Sequence, residues 1–69
     1  MKRIKILLNG EEKFIASKTS LKDLIDELEL DPTTIAIEKN YEIIIPDDFM
    51  GNELVENDRI EIVHFIGGG

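Results

Sequence analysis

Sixty-nine residues carry 42% apolar side chains, 15 acidic against 8 basic groups, a net charge of −7, one histidine and no cysteine. So short a chain holds one domain with a modest core. Disulfides, a thiol nucleophile and the usual structural zinc sites are excluded, and the excess of negative charge argues against binding nucleic-acid phosphates.

No apolar run approaches the roughly 18 residues that a bilayer span requires. Lys2 and Arg3 give a basic start, but Lys5 and Asn9 break the apolar stretch that a signal peptide would need. A cytoplasmic location and no membrane partner are expected. The acidity serves solubility, and it also suits docking to a basic groove on another protein.

In chain order, Arg3-Ile4-Lys5-Ile6-Leu7-Leu8 alternates as a half-buried strand. Asn9-Gly10 predicts a tight hairpin turn, because both residues accept positive φ. Lys13 to Ala16 is the returning strand. Ser20 precedes Leu21, Leu24, Ile25 and Leu28, the spacing of an amphipathic helix, and Ser20 with Asp23 resembles a capping box. Asp31-Pro32 is expected to end that helix. Ile35 to Glu38 and Ile43 to Ile45 read as strands around an Asn40-Tyr41 turn. One short helical turn is expected at Asp47 to Met50, a brief edge pairing at Leu54-Val55, and a polar turn at Glu56-Asn57-Asp58. Arg59 to Phe65 is the clearest strand.

A hairpin, one main helix and further strands imply an α+β domain over residues 1–66. Its mixed sheet has four to five strands with the helix packed on one face, which is the β-grasp, or ubiquitin-like, arrangement. Ile4, Ile6, Leu8, Ile60 and Ile62 are expected under the helix. Arg3, Lys5, Leu7, Glu61, Val63 and Phe65 then share the open face, where Leu7, Val63 and Phe65 form a candidate apolar docking patch.

Residues 67–69 are expected to be a flexible tail. Gly67, Gly68 and Gly69 carry no Cβ, so they fit a channel too narrow for other residues, and extended they reach roughly 10 Å. Such a lead can present the Gly69 carboxylate to a partner's active site. A carboxylate is a poor electrophile, and an ATP-dependent partner could activate it as an acyl-adenylate. A frayed end or a linker gives the same glycines.

The chain resembles the ThiS family of thiamine-biosynthesis sulfur carriers along essentially its whole length. The resemblance lies in "LLNGEEKF", "SLKDLIDEL", "AIEKNYEIIIP" and above all "ENDRIEIVHFIGGG". It implies a protein co-substrate and not an enzyme. The resemblance further implies that terminal Gly69 would be adenylated by an E1-like adenylyltransferase, converted to a thiocarboxylate with sulfur from a donor protein, and used by thiazole synthase. Gly67 and Gly68 would enter the partner's active site, and Phe65, Ile66, Val63 and Leu7 would dock. The resemblance implies no bound cofactor, with ATP used by the adenylating partner. Gly67 makes a triplet of the family's paired glycines, and "EKNYE" stands where many relatives have a tighter turn. The molybdopterin-synthase sulfur carrier, a ubiquitin-like modifier and a non-catalytic interaction module are the alternatives, and a monomer is expected alone.

His64 lies near the tail, but a lone strand histidine is more often packed or solvated than reactive. Glu11-Glu12, Asp26-Glu27 and Asp47-Asp48 are neighbours in sequence that point apart, and they read as solvated surface.

Overall fold

The computed structural model describes residues 2–65. Its elements are β1 (Arg3–Leu8), β2 (Glu11–Ala16), α1 (Leu21–Glu27), β3 (Ile35–Lys39), β4 (Glu42–Ile44) and β5 (Arg59–His64), with 3-10 turns at Pro32–Thr34 and Pro46–Asp48. The five strands form one sheet in the order β2-β1-β5-β3-β4. The β1–β5 pair is parallel and the other neighbours are antiparallel. Leu21, Leu24 and Ile25 of α1 bury against Ile6, Ile15, Ile37, Ile60 and Ile62 of the sheet. This is the expected β-grasp, with its helix on one face.

Local chemistry accounts for the connections. Asn9 and Gly10 take φ of 50° and 84°, and Asn40 and Tyr41 take 51° and 73°. Paired positive φ matches the twist of the flanking strands, so both hairpins close in two residues. Ser20 accepts from the Asp23 N–H at 3.1 Å, and Asp23 accepts from the Ser20 N–H at 3.1 Å. The capping box is therefore complete, with aspartate in the usual glutamate place.

Two expectations are corrected. The helix stops at Glu27, before Asp31-Pro32. Glu29 takes φ +58°, and the Leu30 N–H donates to Ile25 C=O at 3.0 Å while the Glu29 N–H donates to Asp26 C=O at 3.1 Å. These bonds make a Schellman ending with glutamate where glycine is usual. Asp31 instead opens the next 3-10 turn, accepting from the Thr33 N–H at 2.9 Å.

Second, the isolated bridge pairs Glu53 with Ser20, and Leu54 is core rather than edge. The Leu54 N–H donates to Thr19 C=O at 2.8 Å, which draws the side chain inward beside Phe49. The polar turn at Glu56 to Asp58 forms as expected, and its Asp58 is only 5% exposed.

Candidate functional site

β5 delivers the chain toward its glycines, and it lies inside the sheet, between β1 and β3. Its start is fixed by the buried Asp58. That carboxylate accepts from the Val55 N–H at 2.9 Å and the Asn40 amide at 3.0 Å, with the Lys39 ammonium at 3.7 Å. The Asn40 side-chain oxygen accepts from the Arg59 N–H at 2.9 Å, joining the β3–β4 turn to β5. Further along, the Asn9 N–H donates to Ile60 C=O at 2.9 Å, and the Asn9 side-chain oxygen accepts from the Ile62 N–H at 2.8 Å. The Phe65 N–H donates to Thr34 C=O at 2.9 Å. The backbone is thus held up to residue 65.

Alternation buries Ile60 and Ile62 and leaves Val63 and Phe65 exposed. Val63 stands opposite Ala36, and Glu38 opposite both Glu61 and Ile43. The result is an apolar groove of about 300 Å³ at the end of the sheet where β5 leaves it, lined by Pro32, Ala36, Ile43, Ile45, Pro46 and Phe65 among others. Ile43 and Ile45, at 72% and 53% exposed, extend the docking surface beyond what the sequence singled out. The sequence placed a strand at Ile43 to Ile45, and the adjoining Pro46 is its signal of a sheet edge.

Leu7 is half-buried and opposite Arg59. The parallel register sets it roughly 13 Å along the sheet from Val63, at about 3.3 Å per residue. Arg59 and Glu61 lie between, joined at 3.0 Å, with the guanidinium 4.2 Å from the Tyr41 ring centre. The structure therefore places Phe65 in the groove and exposed Val63 opposite Ala36 of its lining, and leaves Leu7 apart. Ile66, Gly67, Gly68 and Gly69 lie outside the described residues.

The groove's surroundings are acidic. Glu38 and Glu42 belong to the adjoining strands, Asp47 and Asp48 follow Pro46, and no lysine or arginine occurs between Asn40 and Asp58. Asp31 stands beside Pro32, and its bonds from the Thr33 N–H and hydroxyl hold its carboxyl below the ordinary 3.8. His64 is exposed. Glu12, Asp26 and Glu27 pair with Lys5, Lys22 and Lys13 on the surface, not with one another. Among the described residues there is no cluster of metal-ligating side chains, and no helix long and apolar enough to cross a membrane.

Comparison with known proteins extends these observations. A model of the ThiS family matches residues 4–69. The sulfur carrier protein ThiS of Bacillus subtilis is 38% identical over 63 residues, covering 90% of this chain and 96% of that protein. Two proteins named thiazole synthase, from Paramagnetospirillum magneticum and Magnetococcus marinus, are 35% and 39% identical over 66 residues. The match takes in 96% of this chain, which spans only 20% of the length of either. The crystal structure of the thiamine biosynthesis protein ThiS from Geobacter metallireducens shares the fold, with a TM-score of 0.83 at 22% identity, over 96% of this chain and 100% of that one.

Proposed function

The chain belongs to the ThiS family, and from that premise we propose that it is a sulfur carrier of thiamine (thiazole) biosynthesis, a protein co-substrate whose reactive group is the Gly69 carboxylate. The observation that carries the reading is the exit of β5. A strand held on both sides ends in exposed Val63 and Phe65, and the sequence then continues as Ile66 and three glycines.

The chemistry follows from the carboxylate. A Gly69 oxygen attacks the α-phosphorus of ATP in an E1-like adenylyltransferase, and pyrophosphate leaves. The product is a mixed anhydride in which AMP is a good leaving group. A donor protein's persulfide sulfur adds at the carbonyl carbon and expels AMP. A thiol then cleaves the resulting acyl disulfide at its S–S bond, forming a disulfide with the donor and leaving the thiocarboxylate on Gly69; free sulfide would give the same product directly. A thiocarboxylate is a soft nucleophile at neutral pH, suited to sulfur delivery. Gly67 and Gly68 thread the partner's channel, while Val63, Phe65 and Ile66 bear on its rim. Leu7 would be a separate contact further along the open face. Thiazole synthase as the acceptor is supported by the two relatives of that name, of which a segment like this chain makes up about a fifth.

Intact mass measured after incubation with ATP, the E1-like enzyme and a sulfur donor tests the reading. An oxygen-for-sulfur exchange located at Gly69 supports it; no exchange, or exchange elsewhere, refutes it. Gly68→Leu is expected to block the exchange while leaving the thermal melt unchanged. Reconstitution with thiazole synthase and with molybdopterin synthase then separates the two acceptors.

A further inference from the structure

β4 is one of the two outer strands of the sheet, β2 being the other. Its hairpin register decides which backbone groups face outward. Lys39 and Glu42 flank the two-residue turn and exchange both their hydrogen bonds, and the alternation makes Ile37 and Ile44 the next bonded pair. Ile43 lies between these pairs, so its N–H and C=O point away from β3. The Ile45 N–H points the same way, while the Ile45 C=O accepts from the Asp48 N–H at 2.9 Å. An outer edge is normally guarded by lysine, an inward charge or a bulge. Here the outward-facing groups sit under two exposed isoleucines, with no cation from Asn40 to Asp58.

We infer that the free edge of β4, with the groove beside it, accepts an extended strand of thiazole synthase, one carrying apolar residues at alternate positions and lysine or arginine at its ends. The inference rests on the carrier reading. Backbone bonds to Ile43 and Ile45 supply the pairing, apolar side chains cover Ile43, Ile45 and Phe65, and the cations meet Glu42, Asp47 and Asp48. A second copy is a poor occupant, because edge pairing would set one acidic border against another on a chain of net charge −7. The position is also apt for a sulfur acceptor. Phe65 lines the groove, and the four residues from 66 to 69 reach at most about 14 Å. The added strand therefore lies close to the synthase pocket that receives Gly69.

Ile43→Pro tests the pairing directly. It deletes an outward N–H and leaves every β3–β4 ladder bond intact, a placement that edge strands tolerate. Its affinity for thiazole synthase, by calorimetry, should fall on the order of tenfold, the size of one or two lost backbone bonds. Asp47→Lys with Asp48→Lys should weaken the same binding and flatten its salt dependence. In the wild type, the Ile43 and Ile45 amides should gain hydrogen-exchange protection when thiazole synthase is added. That measurement needs no variant to fold and no sulfur on Gly69. Unchanged affinity of Ile43→Pro, unprotected amides, or a wild-type dimer that the substitution dissolves would each overturn the inference. Absence of thiocarboxylation in the wild type would instead overturn the carrier reading, and the exchange result would stand apart from it.

Discussion

Replacing Asn9 with alanine removes the acceptor of the Ile62 N–H, in a residue only 9% exposed. An orphaned buried N–H costs about 1–3 kcal/mol. Position 9 also holds φ at 50°, which asparagine tolerates and alanine resists by about 1 kcal/mol or more. The expected loss is about 2–4 kcal/mol, or roughly 10–30 °C in melting temperature for a domain of this size. Asn9→Asp keeps both the acceptor and the tolerance of positive φ, and should stay within about 0.5 kcal/mol of the wild type. Asn9→Gly restores the backbone freedom but not the bond, and should fall between them. Urea unfolding followed by circular dichroism gives the three values. If Asn9→Ala proves no worse than Asn9→Asp, the side-chain bond does not hold β5. If Asn9→Gly proves worse than Asn9→Ala, backbone strain has been misjudged.

Glu29→Gly should stabilise the domain by up to about 1 kcal/mol, since glycine suits the left-handed position and removes a negative charge from the helix C-terminus; a loss of stability would contradict the Schellman assignment. Asp58→Ala strands the Val55 N–H and the Asn40 amide and removes the counter-charge of the Lys39 ammonium, which keeps its bonds to Asn52 and Glu53, and should cost about 3 kcal/mol. A loss under about 1 kcal/mol in urea unfolding would mean that the network does not anchor β5. The Asp31 carboxyl is held below 3.8 by Thr33. Its folded-state value is therefore depressed, so its contribution to stability is complete above the unfolded value and lost as pH falls through the folded one. A carboxyl NMR titration should place its midpoint below 3.8, and a midpoint at or above that value would count against the Thr33 bonds.

The strands, both hairpin turns and the capping box were readable because each rests on chemistry within a few residues. Asn9-Gly10 announced a turn, and Ser20 with Asp23 announced a helix start. What escaped reading depends on contacts distant in sequence. Glu29 ends the helix without the glycine that usually marks such an ending, so the eye moves on to Pro32. Asp58 looks like surface until the β3–β4 turn brings Asn40 onto it. Leu54 and Phe49 belong to the core because the loop from Pro46 to Asp58 folds back over the start of the helix, where Leu21 and Lys22 bond to Asn52 and Phe49. Leu7 and Val63 share a face, as alternation predicts, but only the parallel register shows that they sit at opposite ends of it. Likewise, the outward backbone groups of Ile43 follow from counting pairs back to a turn, not from the identity of the residue.

The central placement of β5 has a mechanical consequence. On the proposed carrier reading, a partner that drew Gly67 to Gly69 into its channel would pull along the axis of this strand. β1 grips one side and β3 the other, with Asn9 bridging at Ile60 and Ile62. Tension on the tail therefore loads these bonds sideways and together, in shear, instead of peeling them off one after another. An edge strand carrying the same tail would meet that load with one row of bonds instead of two. The domain is arranged so that its end can be tugged without the body coming undone.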